Sequence, residues 1–275
     1  MQYDPIKRGL GEFFNQSPLS RKVFYRLLDT LLLRTWHVKK AIKTWKKTQP
    51  QNTEILDAGS GFGQYSYYLA RTNRKSRILG VDVKTEQIDD CNIFFKKAGL
   101  TNATFEFADL TKFVKQDCYN LILSVDVMEH IEEDVLVFNN FCKSLKQGGM
   151  LLVSTPSDQG GSDVHDHHDH YRNDGSQSFI DEHVRDGYNI DEIQEKLKKA
   201  GFTKTEAVYS YGWPGKISWK LSMKYPILML NFSKAFYLVL PFYYLVTYWL
   251  AIILNFMDVK LTHKTGTGLI VKAWK

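Results

Sequence analysis

The sequence predicts an α/β domain in which a parallel sheet is wrapped by helices. Two observations carry this. After Pro50, short apolar runs alternate with helical stretches, as expected when helical crossovers join parallel strands. The first of those runs leads into the glycine-rich turn DAGSGFG at 57–63, a junction between a strand and a helix.

The elements follow in order. Residues 19–47 contain no Gly or Pro, and Leu19, Val23, Phe24, Leu27, Leu28, Leu31 and Leu32 recur at helical spacing. They predict one long basic amphipathic helix or two in tandem, with Ser17 as N-cap and Pro18 at the first helical position. The strand-like runs are Glu54–Ala58, Arg77–Val81, Ala103–Phe107, Leu121–Val125 and Met150–Ser154. A helix over Asp191–Ala200 is opened by Asn189, with Glu192 three residues on, and closed by Gly201. Two more strand-like runs, Thr203–Tyr209 and Gly268–Trp274, flank an unusually apolar stretch. The expected division is an N-terminal basic helical arm (1–50), a core (51–210) with a His-rich lid at 157–188, an apolar helical insertion (211–266), and the last strand of the core sheet (267–275).

Composition narrows the class. In 275 residues, 44% are hydrophobic and 24% charged, which supplies a full core and excludes a disordered, collagen-like or disulfide-scaffold chain. Cys91, Cys118 and Cys142 show no CxxC spacing, so the expected compartment is a reducing cytoplasm. The start MQYDPIKRGLGEFF has no apolar run before a small-residue cleavage site, so no signal peptide is expected. The net charge of +6 is concentrated in residues 1–50, where eleven Lys and Arg face Asp4, Glu12 and Asp29. Such an arm suits either an anionic surface or a solvated helix face.

In the turn, Gly59, Gly61 and Gly63 let the backbone approach a ligand closely. Gln64 stands where a dinucleotide fingerprint would place its third glycine. Asp57 would face a pyrophosphate badly and suits a cationic ligand, while Asp82, closing ILGVD, can accept from ribose hydroxyls. A ligand with a ribose and a positive charge but no phosphate points to S-adenosylmethionine.

Six segments in order, LDAGSGFG (56–63), GVD (80–82), FADL (107–110), SVDVMEHI (124–131), LKQGGMLLVSTP (145–156) and AGF (200–202), resemble class I S-adenosylmethionine-dependent methyltransferases, in particular the methyltransferase type 11 or ubiquinone/menaquinone-like group. The resemblance covers roughly residues 52–209 and the final strand. It implies a Rossmann-like seven-stranded sheet whose last strand is antiparallel. It also implies that Asp57, Gly59, Ser60, Gly61 and Gly63 hold the methionine side of the cofactor and Asp82 and Val83 the ribose. Ala108, Asp109 and Leu110 would frame the adenine, and Ser124 and Val125 would line the methyl-transfer site.

An oxygen or nitrogen acceptor must also lose a proton, which a histidine can take near neutral pH. His183, in the HVRDGY segment that matches the family's acceptor-facing part, ranks first as base; His130 is the alternative, and Arg185 and Tyr188 join them as catalytic candidates. His165, His167, His168 and His170, with Asp163, Asp166 and Asp169, form a dense polar run that reads as a lid, and no metal is expected there.

Phe236–Met257 is uncharged and by count reaches a membrane span. The strand that follows must rejoin the sheet, so any crossing would be made twice, and Pro226 and Pro241 are expected to break the run. A monotopic, peripheral arrangement at the inner membrane face is the preferred reading; a homodimer interface and additional core are the rivals. Methyl transfer to a hydrophobic or amphipathic small molecule (a lipid, a quinone or phenol, or a polyene) is expected, with O-methylation first. RNA or protein methylation and non-catalytic cofactor binding are the alternatives. No nucleic-acid partner is expected, because the aromatic residues cluster away from the basic arm.

Overall fold

Hydrophobic runs five to seven residues long, flanked by helices, have one way to hide both faces: a central sheet covered on each side. The computed structural model describes residues 17–160 and 184–275 and has this architecture. The strands are β1 (Glu54–Ala58), β2 (Arg77–Asp82), β3 (Ala103–Phe107), β4 (Tyr119–Val125), β5 (Leu145–Pro156), β6 (Lys204–Ser210) and β7 (Gly268–Trp274), in the order β3-β2-β1-β4-β5-β7-β6. The first five are parallel, and β7 runs antiparallel between β5 and β6. Every strand-like run is a strand. β5 begins earlier than Met150, because Leu145 pairs with Tyr119 across a register irregularity.

The helices are α1 (Pro18–Leu31), α2 (Leu33–Lys46), α3 (Gln64–Thr72), α4 (Thr85–Lys97), α5 (Asp134–Ser144), α6 (Ile190–Lys199), α7 (Trp213–Trp219), α8 (Tyr225–Phe232) and α9 (Leu240–Lys260). Alternation along each strand splits the core in two. Leu56 and Ile122 pack with Phe138, Phe141 and Leu197 on one face. Ile55, Leu121 and Leu123 pack with Phe94, Phe95, Ile42 and Trp45 on the other.

The N-terminal arm is two helices, broken where Leu32 takes an extended conformation. Ser17 caps α1 and Pro18 follows in its first turn. Some of the arm's cations are engaged by the fold. Arg21 is buried, and the side chain of Arg34 pairs with Asp126. Lys39 lies 2.5 Å from Asp29, and Lys40 and Lys46 donate to the carbonyls of Val259 and Thr72. Arg21, Arg34 and Lys39 are thus engaged within the fold, while Arg26, Lys40, Lys43, Lys46 and Lys47 stay exposed. Lys7 and Arg8 lie outside the described residues.

The insertion is a helical hairpin. The expectation that its prolines break it is corrected: Pro226 and Pro241 sit in the first turns of α8 and α9, where a missing N–H is harmless. A π-helical turn, Lys220–Lys224, joins α7 to α8. The carbonyls of Leu221 and Ser222 there accept the hydroxyls of Tyr243 and Tyr244, each at 2.8 Å. One face of α9 docks through Ala251, Leu254, Asn255 and Asp258. The opposite face leaves Phe242, Leu245, Val246, Trp249, Ile253 and Phe256 exposed at helical spacing.

Candidate active site

The glycine turn sits at the carboxyl ends of β1, β2 and β4, where an α/β sheet opens its crevice. The N–H groups of Gly59 and Ser60 donate to Val81 O at 2.8 and 2.9 Å, holding the turn against β2. Gly59 has φ +76 and a Cβ there would come within 2.3 Å of Val127 Cγ2, so this glycine is required by packing. Gly61, at φ +50, faces open space, with Gln87 Oε1 the nearest atom at 3.8 Å. That opening is the cradle.

Two carboxylates flank it. Asp57 is 2% exposed and accepts Ser66 Oγ–H at 2.6 Å. Burial pushes its carboxyl up to about 6, against the opposing pull of the Ser66 hydrogen bonds. Asp82 accepts the N–H of Gly61 at 2.9 Å and of Lys84 at 3.0 Å, and its carbonyl accepts from Ala108 at 3.1 Å. It thus ties together the loops after β1, β2 and β3. Beside them, Ser60 Oγ and Ser124 Oγ are buried without a hydrogen-bond partner among the described residues. Val83 and Phe107, at the ends of β2 and β3, leave their apolar side chains uncovered, next to buried Ala108 and Leu110. Asp109 turns to Thr111 instead, accepting its N–H at 2.9 Å and its hydroxyl at 2.7 Å. Unspent buried polar atoms beside an open backbone cradle, two carboxylates and an apolar flank fit a polar, cationic, base-bearing ligand.

The far side of the turn is clamped by the arm. Phe62 O accepts from the Tyr25 hydroxyl and from Arg21 Nη2, the latter at 2.9 Å. Gln64 Nε2 donates to Asp29 Oδ1 at 2.9 Å. Arg21 and Tyr25 escaped the reading of the sequence, where they are one basic and one aromatic residue on a helix.

The other side of the cleft lies after β4, where the sequence places candidate catalytic residues. A 3-10 turn, Met128–His130, points Glu129 inward at 1% exposure and leaves His130 exposed. Glu129 Oε2 accepts the Thr155 hydroxyl at 3.0 Å, and burial raises its carboxyl above the ordinary range. Asp126, at φ +53, pairs with Arg34, whose backbone N–H donates to the Tyr211 hydroxyl at 3.1 Å. Asp126 lies in the SVDVMEHI segment, but Arg34 and Tyr211 carry no motif in the sequence, and only the fold brings the three together.

His183 and the histidines at 165–170 lie outside the described residues. Val184 donates its N–H to Glu129 O at 3.0 Å. Arg185 and Tyr188 are bonded inward. Arg185 pairs with Asp134 and donates to Ile131 O at 2.6 Å, while the Tyr188 hydroxyl, fully buried, lies 2.8 Å from Asp134 Oδ2. Burial and Asp134 push the Tyr188 phenol far above its ordinary value, so it holds its proton at neutral pH. These two residues position the segment that follows β5 rather than present free groups to the cleft.

Residues 49–206 match a family described as a methyltransferase domain, over more than half of the chain. The chain belongs to that family. This methyltransferase domain has the class I fold, and the cofactor of the family is S-adenosylmethionine. Among similar proteins, phosphoethanolamine N-methyltransferase 1 of Triticum aestivum is 31% identical over 136 residues, which are 41% of this chain and 25% of that protein. The (S)-coclaurine N-methyltransferase of Papaver somniferum is 28% identical over 99 residues, 36% of this chain and 28% of its own. The chain thus spans about a quarter of the length of the curated relatives it matches. A Haemonchus contortus phosphoethanolamine N-methyltransferase 2, solved with S-adenosyl-L-methionine, superposes with a TM-score of 0.61 at 17% identity, covering 97% of this chain and 60% of that one. At that identity the likeness is one of fold.

Proposed function

We propose that this chain binds S-adenosylmethionine in the Gly61 cradle and transfers its methyl group to a small amphipathic molecule at a membrane surface. The observation that carries the reading is the open space at Gly61 with the carboxylates of Asp57 and Asp82 at the strand ends and the Ser60 and Ser124 hydroxyls buried there without a partner among the described residues. Asp57 suits the cofactor's cationic side, Asp82 its ribose, and Val83, Phe107, Ala108 and Leu110 its adenine. Bound there, the cofactor supplies an already activated electrophilic methyl, so the chain's contribution is alignment and exclusion of water. The buried ends of β4 and the Arg34–Asp126 pair close the site from the side of the arm.

The histidine-rich sequence favours a hydroxyl acceptor and O-methylation, with His183 or His130 taking the proton. A second reading, N-methylation of an amine, is supported by the N-methyltransferase names of the relatives and by the carboxylates Asp126 and Glu129 beside the cleft. Membrane association is supported by the exposed stripe of α9, a helix of 21 residues with a mean hydropathy of 1.5. A stripe along one face suits a helix lying in the interface plane, at the inner face of the membrane. A homodimer that covers the stripe is the competing arrangement. Incubating the protein with methyl-labelled S-adenosylmethionine and lipid extract, followed by mass spectrometry, tests the activity. A labelled lipid-soluble product supports the reading, and label confined to RNA or protein in a parallel incubation overturns it.

A further inference from the structure

The hairpin of residues 211–266 has a charge pattern of its own. It contains Lys216, Lys220, Lys224, Lys234, Lys260 and Lys264 against one acidic residue, Asp258. Asp258 is fully buried and spent. Its carboxylate lies 2.7 Å from His37 Nε2 and 3.2 Å from His263 Nε2, and accepts the N–H groups of Tyr211 at 3.2 Å and Gly215 at 3.1 Å. The hairpin therefore shows the outside cations and apolar side chains, and no carboxylate.

At its base, where α7 begins and α9 has ended, a cavity of about 330 Å³ is lined by Trp213, Leu261, Thr262, His263, Lys264 and Thr265. Its wall is fixed. His263 forms a backbone bridge with Tyr209, and its Nε2 lies 2.9 Å from Asp258 O. Lys264 is exposed and has no carboxylate partner among the described residues. Thr262 and Thr265 are exposed beside it, so a cation and two hydroxyls line one opening. Trp213 (59% exposed), at the start of α7, and Leu261 (47%), the residue after α9, line the same cavity. A tryptophan at such a boundary suits the headgroup level, having an apolar body and a polar tip.

We propose that this cavity holds the phosphate of an anionic lipid headgroup while the stripe of α9 lies among the acyl chains beside it. Lys264 supplies the charge, Thr262 and Thr265 the hydroxyl donors, and Trp213 and Leu261 the contact with the first part of the chains. The site rests on the membrane reading above and adds to it a specific headgroup chemistry. It also adds an electrostatic attachment on the hairpin to any made by the arm, where Arg21, Arg34 and Lys39 are engaged within the fold.

Flotation of the full chain tests both, using vesicles of phosphatidylcholine alone and of phosphatidylcholine mixed with phosphatidylglycerol. The wild type is expected to float more strongly with the anionic vesicles. Lys264→Gln should lower that binding roughly fivefold, and Thr262→Val should lower it as well, although it removes no charge. Neither variant should change the affinity for S-adenosylmethionine, which serves as the check on folding, and both should lower binding to phosphatidylcholine less, because choline balances the charge of its phosphate. Trp249→Ser with Ile253→Ser should weaken binding to both vesicles. If the wild type floats equally with both and Thr262→Val has no effect, the headgroup site is overturned and the membrane reading stands. If it floats with neither, both are overturned. Full competition by soluble glycerol phosphate would assign the cavity to a free phosphate ester and overturn the lipid.

Discussion

At the scale of single residues, Asp57 gives the sharpest expectation. Its folded carboxyl titrates near 6, above the ordinary value of 3.8, because burial disfavours the charge. Between those values the folded state holds a proton that the unfolded chain has lost, so stability falls as pH rises, by about 3 kcal/mol in total. Above about pH 6 the penalty is fully present. Melting the cofactor-free protein at pH 5 and pH 7.5 should therefore show a loss in the wild type that Asp57→Asn lacks; equal behaviour of the two would place an ionised carboxylate in both states. A cationic ligand needs the ionised form, so S-adenosylmethionine affinity should drop as pH falls below 6, by up to about tenfold per unit. The two glycines separate packing from binding. Gly59→Ala meets Val127 and should cost about 1–3 kcal/mol of stability. Gly61→Ala meets open space, so it should cost about 1–2 kcal/mol through its positive φ while removing most cofactor affinity. Calorimetry and thermal melting on the pair would decide this, and equal effects on both readouts would dissolve the distinction.

At the scale of elements, α1 and the glycine turn behave as one unit. Arg21 and Tyr25 reach Phe62 O from a helix some forty residues away in sequence. Arg21→Ala should uncover a buried carbonyl and a buried phenol, costing about 2–3 kcal/mol, and should weaken cofactor binding without touching Asp57 or Asp82. Unchanged affinity in a destabilised variant would confine the clamp to stability. The strands and the Asn189 cap were legible because period-2 runs and capping residues act locally. The clamp was not, since nothing within a helical window reports a partner carbonyl across the fold. The start of β5 was missed because Lys146, Gln147, Gly148 and Gly149 interrupt the apolar run, and the pairing resumes past them only across an irregularity in which Gly148 takes φ +74. The prolines misled for a related reason. Pro226 follows a π turn whose freed carbonyls are taken up by Tyr243 and Tyr244, a compensation supplied by the other arm of the hairpin.

At the scale of the whole molecule, the cofactor cleft and the apolar hairpin share the helix α2. His37 on it meets Asp258 of α9, and Arg34, one turn earlier, meets Asp126 after β4. Seating the hairpin and closing the cleft therefore use the same rigid element. A count of basic residues does not say which of them face inward, and in the arm the fold turns Arg21 and Arg34 to internal partners while Lys43 and Lys47 stay exposed. Removing the exposed stripe by Leu245→Ser, Trp249→Ser and Ile253→Ser should leave the melting temperature of the core within a few degrees, since these side chains are largely outside it. It should also abolish the salt-resistant part of vesicle binding. A protein that ran as a stable dimer before the change and as a monomer after it would assign the stripe to a subunit interface.

The position of β7 has a consequence for the order of assembly. β6 bonds to the sheet only through β7, which pairs with β5 on its other side. The hairpin precedes β7 in the chain, so during synthesis its apolar stripe leaves the ribosome while the sheet still lacks the strand that joins β6 to it. At about 5–20 residues per second, the nascent chain passes seconds as a five-stranded sheet trailing an uncovered oily helix. An available bilayer in that interval would act as a folding partner, holding the hairpin until β7 slots in beside β5.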